Sequence, residues 1–114
     1  SMIKNYKSKE GVSVIEVTVS SLDASNTDTF KDAVKPLMQE GNRIALDMKM
    51  LDFMDSSGLG SLVWMLRESE KNQGAIRLAC VTRPVQTLLE MVRMHRIFQI
   101  HPSVSDAVNA YSPA

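Results

Sequence analysis

Alternating hydrophobic and polar residues mark the first strands of the chain. Residues 12–19 alternate and are rich in β-branched side chains, a pattern typical of a strand. Residues 2–7 form a shorter strand candidate, and the turn-forming residues 8–11 lie between the two. We therefore predict an antiparallel β-hairpin at the start of the chain.

Hydrophobic residues at three- and four-residue spacing predict four helices. Pro36 lies inside the first helix, which allows a kink or an earlier end, and Glu40-Gly41-Asn42 supplies a glycine C-cap. The predicted ranges are 27–39, 57–72, 84–94 and 103–110. The residues expected to face the core are Phe30, Ala33, Val34, Leu37 and Met38, then Leu59, Leu62, Val63 and Leu66, and then Val85, Leu88, Leu89 and Val92.

Apolar runs between these helices predict three further strands, at 43–48, 75–81 and 97–100. Strands that alternate with helices favour a mostly parallel sheet with right-handed crossovers. The expected fold is therefore a single α/β domain over residues 2–114, with a mixed, mostly parallel sheet of about five strands and about four helices. Its central strands are expected to be 12–19, 43–48 and 75–81.

The segment Leu51–Gly60 joins a buried strand to a helix and carries the most unusual chemistry of the chain. Asp55, Ser56 and Ser57 can each cap the helix start. Gly58 and Gly60 leave the first turn bare, although each glycine costs a helix about 1 kcal/mol relative to alanine. Free N–H groups at a helix start favour an anion. The serines either serve only as caps or receive a group such as phosphate, which would add about −1.5 to −2 charges.

Composition excludes several classes of function. The chain has 114 residues, with 13 basic and 13 acidic side chains, so no basic surplus points to nucleic acid or to an acidic membrane surface. Apolar runs are too short for a membrane span, and no signal peptide is apparent, so a cytoplasmic protein is expected. The single cysteine, Cys80, lies in an apolar run and is expected to be a core thiol.

The serines do not fit the motifs of an enzyme. A nucleophile elbow needs glycine two residues before the serine, where this chain has Met54 or Asp55. His95 and His101 have no cysteine or carboxylate at ligand spacing, and no Walker loop is present. We therefore expect no catalytic residue, no metal and no cofactor.

Four short motifs, taken with the order of elements, resemble a known family. They are Leu22-Asp23, Phe53-Met54-Asp55-Ser56-Ser57-Gly58-Leu59-Gly60, Pro84-Val85 and Ile97-Phe98-Gln99-Ile100. Nearly the whole chain is similar to a STAS domain of the anti-sigma factor antagonist type. One departure is Ser20-Ser21, at a position where the family usually carries a glycine.

The resemblance implies a partner switch. Such an antagonist binds an anti-sigma factor that is also a serine kinase, so that the sigma factor is released. The kinase then phosphorylates the first serine of the segment, here Ser56 with Ser57 as the alternative, and the pair separates until a serine phosphatase removes the phosphate. The protein is expected to be a monomer. Its expected partner-binding residues are Asp23, Asp55, Ser57, Gly58, Leu59, Gly60 and Trp64.

Alternatives remain at this point. STAS-like domains also serve as binding subunits of lipid-transport or stress-signalling complexes without a phospho-switch, and a kinase switch can release something other than a sigma factor. Trp64 is either a partner anchor or a residue packed under a neighbouring loop. Among the eight methionines, Met48, Met91 and Met94 lie in apolar patterns that favour core positions.

Overall fold

The computed structural model describes residues 1–111 and shows an α/β fold. Seven strands and four helices follow one another within these described residues. They are β1 (Ile3–Lys7), β2 (Ser13–Val17), β3 (Ser21–Leu22), α1 (Thr27–Glu40), β4 (Arg43–Asp47), β5 (Phe53–Met54), α2 (Ser56–Lys71), β6 (Ala75–Ala79), α3 (Arg83–Met91), β7 (Gln99–His101) and α4 (Val104–Asn109). A 3-10 turn (Met94–Arg96) precedes β7. The last three residues of the predicted domain, 112–114, lie outside the described residues.

Five strands form the main sheet, in the order β1-β2-β4-β6-β7. The first two pair antiparallel, with Ile3 opposite Val17 and Lys7 opposite Ser13, so the predicted hairpin is confirmed. The remaining neighbours are parallel. Strands β2, β4 and β6 occupy the interior of the sheet, as the sequence predicted.

Alternate residues of these central strands supply two separate apolar clusters, because successive side chains of a strand point to opposite faces. Leu46 and Leu78 belong to the larger cluster, together with residues of α1, α2 and α3 such as Phe30. Ala45 and Ala79 belong to the smaller cluster with Ala107 and Val108 of α4. The helices therefore cover both faces of the sheet, three on one side and α4 on the other.

Two short strands were absent from the prediction. Residues of β3 and β5 pair in parallel, Ser21 opposite Phe53 and Leu22 opposite Met54, and form a separate two-stranded sheet. Two residues are too few to produce an alternating pattern. The small sheet joins the loop before α1 to the loop before α2.

The region from α3 to β7 differs from the prediction. Helix α3 ends at Met91, and Arg93 adopts a left-handed conformation with φ of 62°. The core positions predicted for Met91 and Val92 are wrong, since both are exposed, whereas Met48 is fully buried. Strand β7 begins at Gln99, two residues later than predicted.

Other local predictions met mixed outcomes. Helix α1 continues through Pro36 to Glu40, and its C-cap Gly41 has extended backbone instead of the left-handed conformation that glycine caps favour.

Cys80 is only partly buried, beside the smaller cluster, and has a left-handed φ of 59°. Burial raises the pKa of its thiol. No helix within residues 1–111 is both long and apolar enough to cross a membrane.

Candidate functional site

The small sheet places two acidic residues at the same end of two parallel strands. Asp23 directly follows β3, and Asp55 directly follows β5. Because the pairing of Leu22 with Met54 is the last of the sheet, the two aspartates leave it side by side. Ser56 then begins α2, so the helix start lies next to the loop that carries Asp23.

Asp55 is the cap of α2. Its Oδ1 accepts a hydrogen bond from the Gly58 backbone N–H at 2.9 Å, as an N-cap carboxylate does. Its Oδ2 accepts from the Ala24 backbone N–H at 3.0 Å. One carboxylate therefore holds the first turn of α2 and the loop after β3 together.

The two serines are left at the surface. Ser56 and Ser57 are exposed and follow the cap, so the interpretation that they serve only as caps is wrong. Ser61, one turn further on, is fully buried and its hydroxyl donates to the Gly58 carbonyl at 2.7 Å. Ser56 thus presents a hydroxyl to solvent from the positive end of a 16-residue helix.

Asp23 is held by a local network. Its carboxylate accepts hydrogen bonds from the Ser21 hydroxyl and from the hydroxyl and backbone N–H of Ser25. The Asn26 side chain spans the same loop, accepting from Asp23 N–H at 2.9 Å and donating to the Ser21 carbonyl at 2.8 Å. The hydrogen bond from Ser21, followed by those from Ser25, lowers the pKa of Asp23 below its ordinary value of 3.8. Asp23 is therefore an ionised carboxylate in a fixed position.

The two glycines of the segment differ in their surroundings. A Cβ atom on Gly58 would lie 2.1 Å from the Leu22 carbonyl oxygen and 3.1 Å from the Met54 Cβ. Gly60 is exposed, and among residues 1–111 no atom beyond its chain neighbours and its own helix backbone lies within 4 Å of a Cβ placed on it. Packing within the domain explains Gly58, whereas Gly60 leaves the helix surface open beside the serines.

Leu59 and Trp64 lie partly buried against the larger apolar cluster. The Lys31 ammonium, from α1, stands 5.8 Å from the centroid of the Trp64 ring, within the range of a cation–π interaction. Trp64 therefore packs against the core with Lys31 of α1 beside its ring, and the residue remains partly accessible.

The sequence prediction missed how the Asp23 loop is held. Ser21 and Ser25 flank Asp23 at two-residue distances, and short polar side chains at such spacing bond to the local backbone and to one another. This two-residue spacing is the feature of the sequence from which the hydrogen bonds to Asp23 could have been predicted. Asp52 is also exposed, but it precedes β5 and lies at the end of the small sheet opposite to Asp23 and Asp55. Within residues 1–111 we find no group of three histidine, cysteine or acidic side chains arranged to hold a metal ion.

Comparison with known proteins gives both a matching family model and a related protein of similar length. The family model for the STAS domain matches residues 4–107. The chain is 30% identical over 102 residues to the anti-sigma F factor antagonist of Paenibacillus polymyxa, covering 88% of this chain and 84% of that protein.

Solved structures share the fold. An anti-sigma-factor antagonist (STAS) domain protein from Planctomyces limnophilus superposes with a TM-score of 0.85 at 18% identity, covering 95% of this chain and 96% of that one. The Bacillus cell fate determinant SpoIIAA in its phosphorylated form superposes with a TM-score of 0.70 at 18% identity, covering 96% of this chain and 99% of that one.

Proposed function

The chain belongs to the STAS domain family, and on this premise we propose that it is a cytoplasmic anti-sigma factor antagonist. Its partner is an anti-sigma factor that is also a serine kinase. Binding of the antagonist makes this partner release its sigma factor. Phosphorylation of Ser56 then ends the interaction, and a serine phosphatase restores it. The chain acts as a monomeric ligand and substrate and carries out no catalysis itself.

One observation carries the proposal: the Ser56 hydroxyl is exposed while Asp55 caps the helix. A kinase can therefore modify Ser56 without removing a hydrogen bond that holds the start of α2. The role named for the Paenibacillus relative supports the antagonist assignment. The phosphorylated state named for SpoIIAA supports the phospho-switch.

The electrostatics of the site explain how one phosphate would switch off binding. Asp23 and Asp55 already place two acidic side chains beside the start of α2. A phosphate adds about −1.5 to −2 charges. Like charges brought together in an interface cost several kcal/mol, and each 1.4 kcal/mol changes the affinity by a factor of about ten.

The proposed contacts divide into two groups. Asp23, Ser57 and Gly60 are accessible beside Ser56 and are proposed to touch the partner directly. The partly exposed Leu59 and Trp64 extend this surface along α2. Asp55 and Gly58 contribute by holding the Asp23 loop against the helix start.

The test is incubation of the purified protein with ATP and lysate of the source organism, followed by intact-mass and peptide mass spectrometry. One phosphate on Ser56, absent from Ser56→Ala and retained in Ser57→Ala, is the expected result. The kinase responsible is then purified, and sigma-factor release is measured directly. Phosphorylation of Ser56 without release of a sigma factor would support the phospho-switch but would show that the kinase partner controls something other than a sigma factor.

No phosphate, in a lysate with demonstrated serine-kinase activity, would contradict the switch. The alternative is then a constitutive STAS subunit of a lipid-transport or stress-signalling complex. Such a subunit would co-purify with its complex regardless of ATP.

A further inference from the structure

Strand β1 is an open edge of the main sheet, because it pairs with β2 on one side only. The Ser8 backbone N–H donates to the Val12 carbonyl at 2.8 Å, which makes these two residues a hydrogen-bonded pair of the hairpin. Such pairs recur at every second residue of an antiparallel ladder, so Tyr6 also bonds to β2. Asn5 and Lys7 alternate with these residues, and their backbone N–H and C=O groups therefore point outward from the sheet.

A groove lies beside this edge, between α4 and the turn that joins β1 to β2. Its volume is about 550 Å³. Its apolar lining comes from Tyr6 on one side and from Val104 and Val108 of α4 on the other, and its rim includes Lys9 and Glu10. Helix α4 packs mainly against β4, β6 and β7, so it leaves the β1 end of this face of the sheet open. The groove can therefore receive an apolar side chain.

Three lysines surround the open edge, namely Lys4, Lys7 and Lys9. All three are exposed, and none of them forms an ion pair within residues 1–111. With Glu10 in the same turn, the charge of this edge is still positive, which favours a segment that carries acidic side chains. A second copy of this chain is disfavoured, because its β1 would bring the same lysines to the edge, and like charges on facing strands are destabilising.

We propose that the outer edge of β1 binds an extended, acidic segment of a partner protein as an additional strand. The backbone of this segment forms hydrogen bonds with the outward groups of Asn5 and Lys7, which is how strand addition provides affinity. Every second side chain of an added strand points to the face that α4 covers, and an apolar one enters the groove beside Tyr6.

This inference goes beyond the proposed function and concerns a separate surface. Helix α2, which begins at Ser56, packs with the larger apolar cluster on one face of the sheet. Helix α4 packs with the smaller cluster on the other face. A partner at the β1 edge therefore does not compete with a kinase at Ser56.

The probe is a synthetic peptide of alternating glutamate and valine residues, blocked at both ends. The control peptide has lysine in place of glutamate. Binding to the isotope-labelled protein is followed by NMR at low ionic strength, where charges are screened least. The glutamate peptide is expected to shift the backbone amide signals of Asn5 and Lys7 to saturation, and the lysine peptide is expected to leave them unchanged.

Variants test the two parts of the recognition. Asn5→Pro removes an outward N–H and no hydrogen bond to β2, and proline is tolerated at such edge positions. A double variant, Lys4→Glu with Lys9→Glu, reverses the charge of the edge. Each is expected to weaken binding of the glutamate peptide about tenfold. Lys71→Glu is the matched control, because Lys71 is exposed on α2, and it should change binding less than about twofold.

The outcomes separate this inference from the alternatives. Unchanged affinity in both edge variants would overturn it, as would equal binding of the two peptides. No binding at low ionic strength would also overturn it and would leave the lysines the role of keeping the edge unpaired. A dimer of the free chain that dissociates in Asn5→Pro would assign the edge to a second copy instead.

Two further measurements complete the test. Thermal unfolding verifies that each variant remains folded, and the double lysine variant keeps the test decisive if proline at position 5 disturbs β1. Ser56→Asp is expected to bind the glutamate peptide as tightly as the wild-type protein does. Loss of peptide binding in the edge variants with normal phosphorylation of Ser56 would therefore support the β1 site independently of the switch.

Discussion

Gly58 lies against Leu22 so closely that a Cβ atom on the glycine would stand 2.1 Å from the leucine's carbonyl oxygen. This contact brings the start of α2 against the end of β3. It explains why a glycine is present in the first turn despite its low helix propensity. The contact also fixes the position of Asp23, which follows Leu22, relative to Ser56.

We predict opposite effects of alanine at the two glycines. Gly58→Ala forces the backbone of Leu22 away and should lower the free energy of unfolding by about 1–3 kcal/mol. Gly60→Ala, with open space around its Cβ, should raise it by up to about 1 kcal/mol. Urea unfolding of both variants measures the difference. Equal stabilities would show that the contact with Leu22 does not constrain position 58.

Asp55 links two elements, and its replacements should separate the two links. Asp55→Ala removes the cap and should cost about 1 kcal/mol of unfolding free energy. Asp55→Asn keeps an oxygen for the Gly58 N–H but places an N–H donor opposite the donor of Ala24. Amide hydrogen exchange should therefore accelerate at Ala24 in the asparagine variant and remain slow at Gly58. Slow exchange at both positions would contradict the bridging role.

The lowered pKa of Asp23 makes stability depend on pH in one direction. Because the folded-state pKa lies below the ordinary 3.8, the folded protein binds this proton less readily than the unfolded chain. The stabilisation that the Asp23 carboxylate contributes to the folded state is fully present above pH 3.8. It is lost as the pH falls through the lowered pKa of the folded state. The difference in free energy of unfolding between the wild-type protein and Asp23→Asn should therefore shrink as the pH falls into this acid range.

Carbon NMR titration of the Asp23 carboxyl tests the cause directly. Ser21 donates the hydrogen bond that contributes most to the lowered pKa. Ser21→Ala should raise the Asp23 pKa toward 3.8, more than Ser25→Ala does in the same titration. A wild-type value at or above 3.8 would rule out the hydrogen-bond network as drawn.

A negative charge at Ser56 should leave the fold intact. Ser56→Asp places the charge at the exposed, positive end of α2 and should change the unfolding free energy by less than about 1 kcal/mol. Ser61→Asp is the matched control, because Ser61 is fully buried. A charge at this position should lower the free energy of unfolding by more than about 3 kcal/mol. Chemical denaturation compares the two. A strongly destabilised Ser56→Asp would mean that a charge at Ser56 acts by unfolding the site.

The sequence determined the architecture where elements are long or strongly patterned. Residues 12–19 and 43–48 were placed correctly in the centre of the sheet, because their apolar runs are unambiguous. The position of Val92 was predicted wrongly, because the helical periodicity continued past the point where α3 ends and Arg93 turns the chain. Periodicity records which side chains can share a face and does not record where the backbone leaves the helix.

The site was predicted in its position but not in its internal arrangement. Asp55, Ser56 and Ser57 are equivalent as caps by residue type, and only the pairing of β3 with β5 decides which one serves. The space around Gly58 likewise depends on Leu22, which is 36 residues away in the chain. Met91 was predicted to lie in the core, so its exposure became visible only in three dimensions.

The assignment of the cap to Asp55 has a kinetic consequence. The hydrogen bonds at the start of α2 come from a residue that no enzyme acting on Ser56 needs to alter. A group attached to Ser56 can therefore be added and removed many times without a folding step between the two forms. In the proposed switch, the rate of each cycle would then be set by the turnover of the modifying enzymes, without a delay from refolding of the domain.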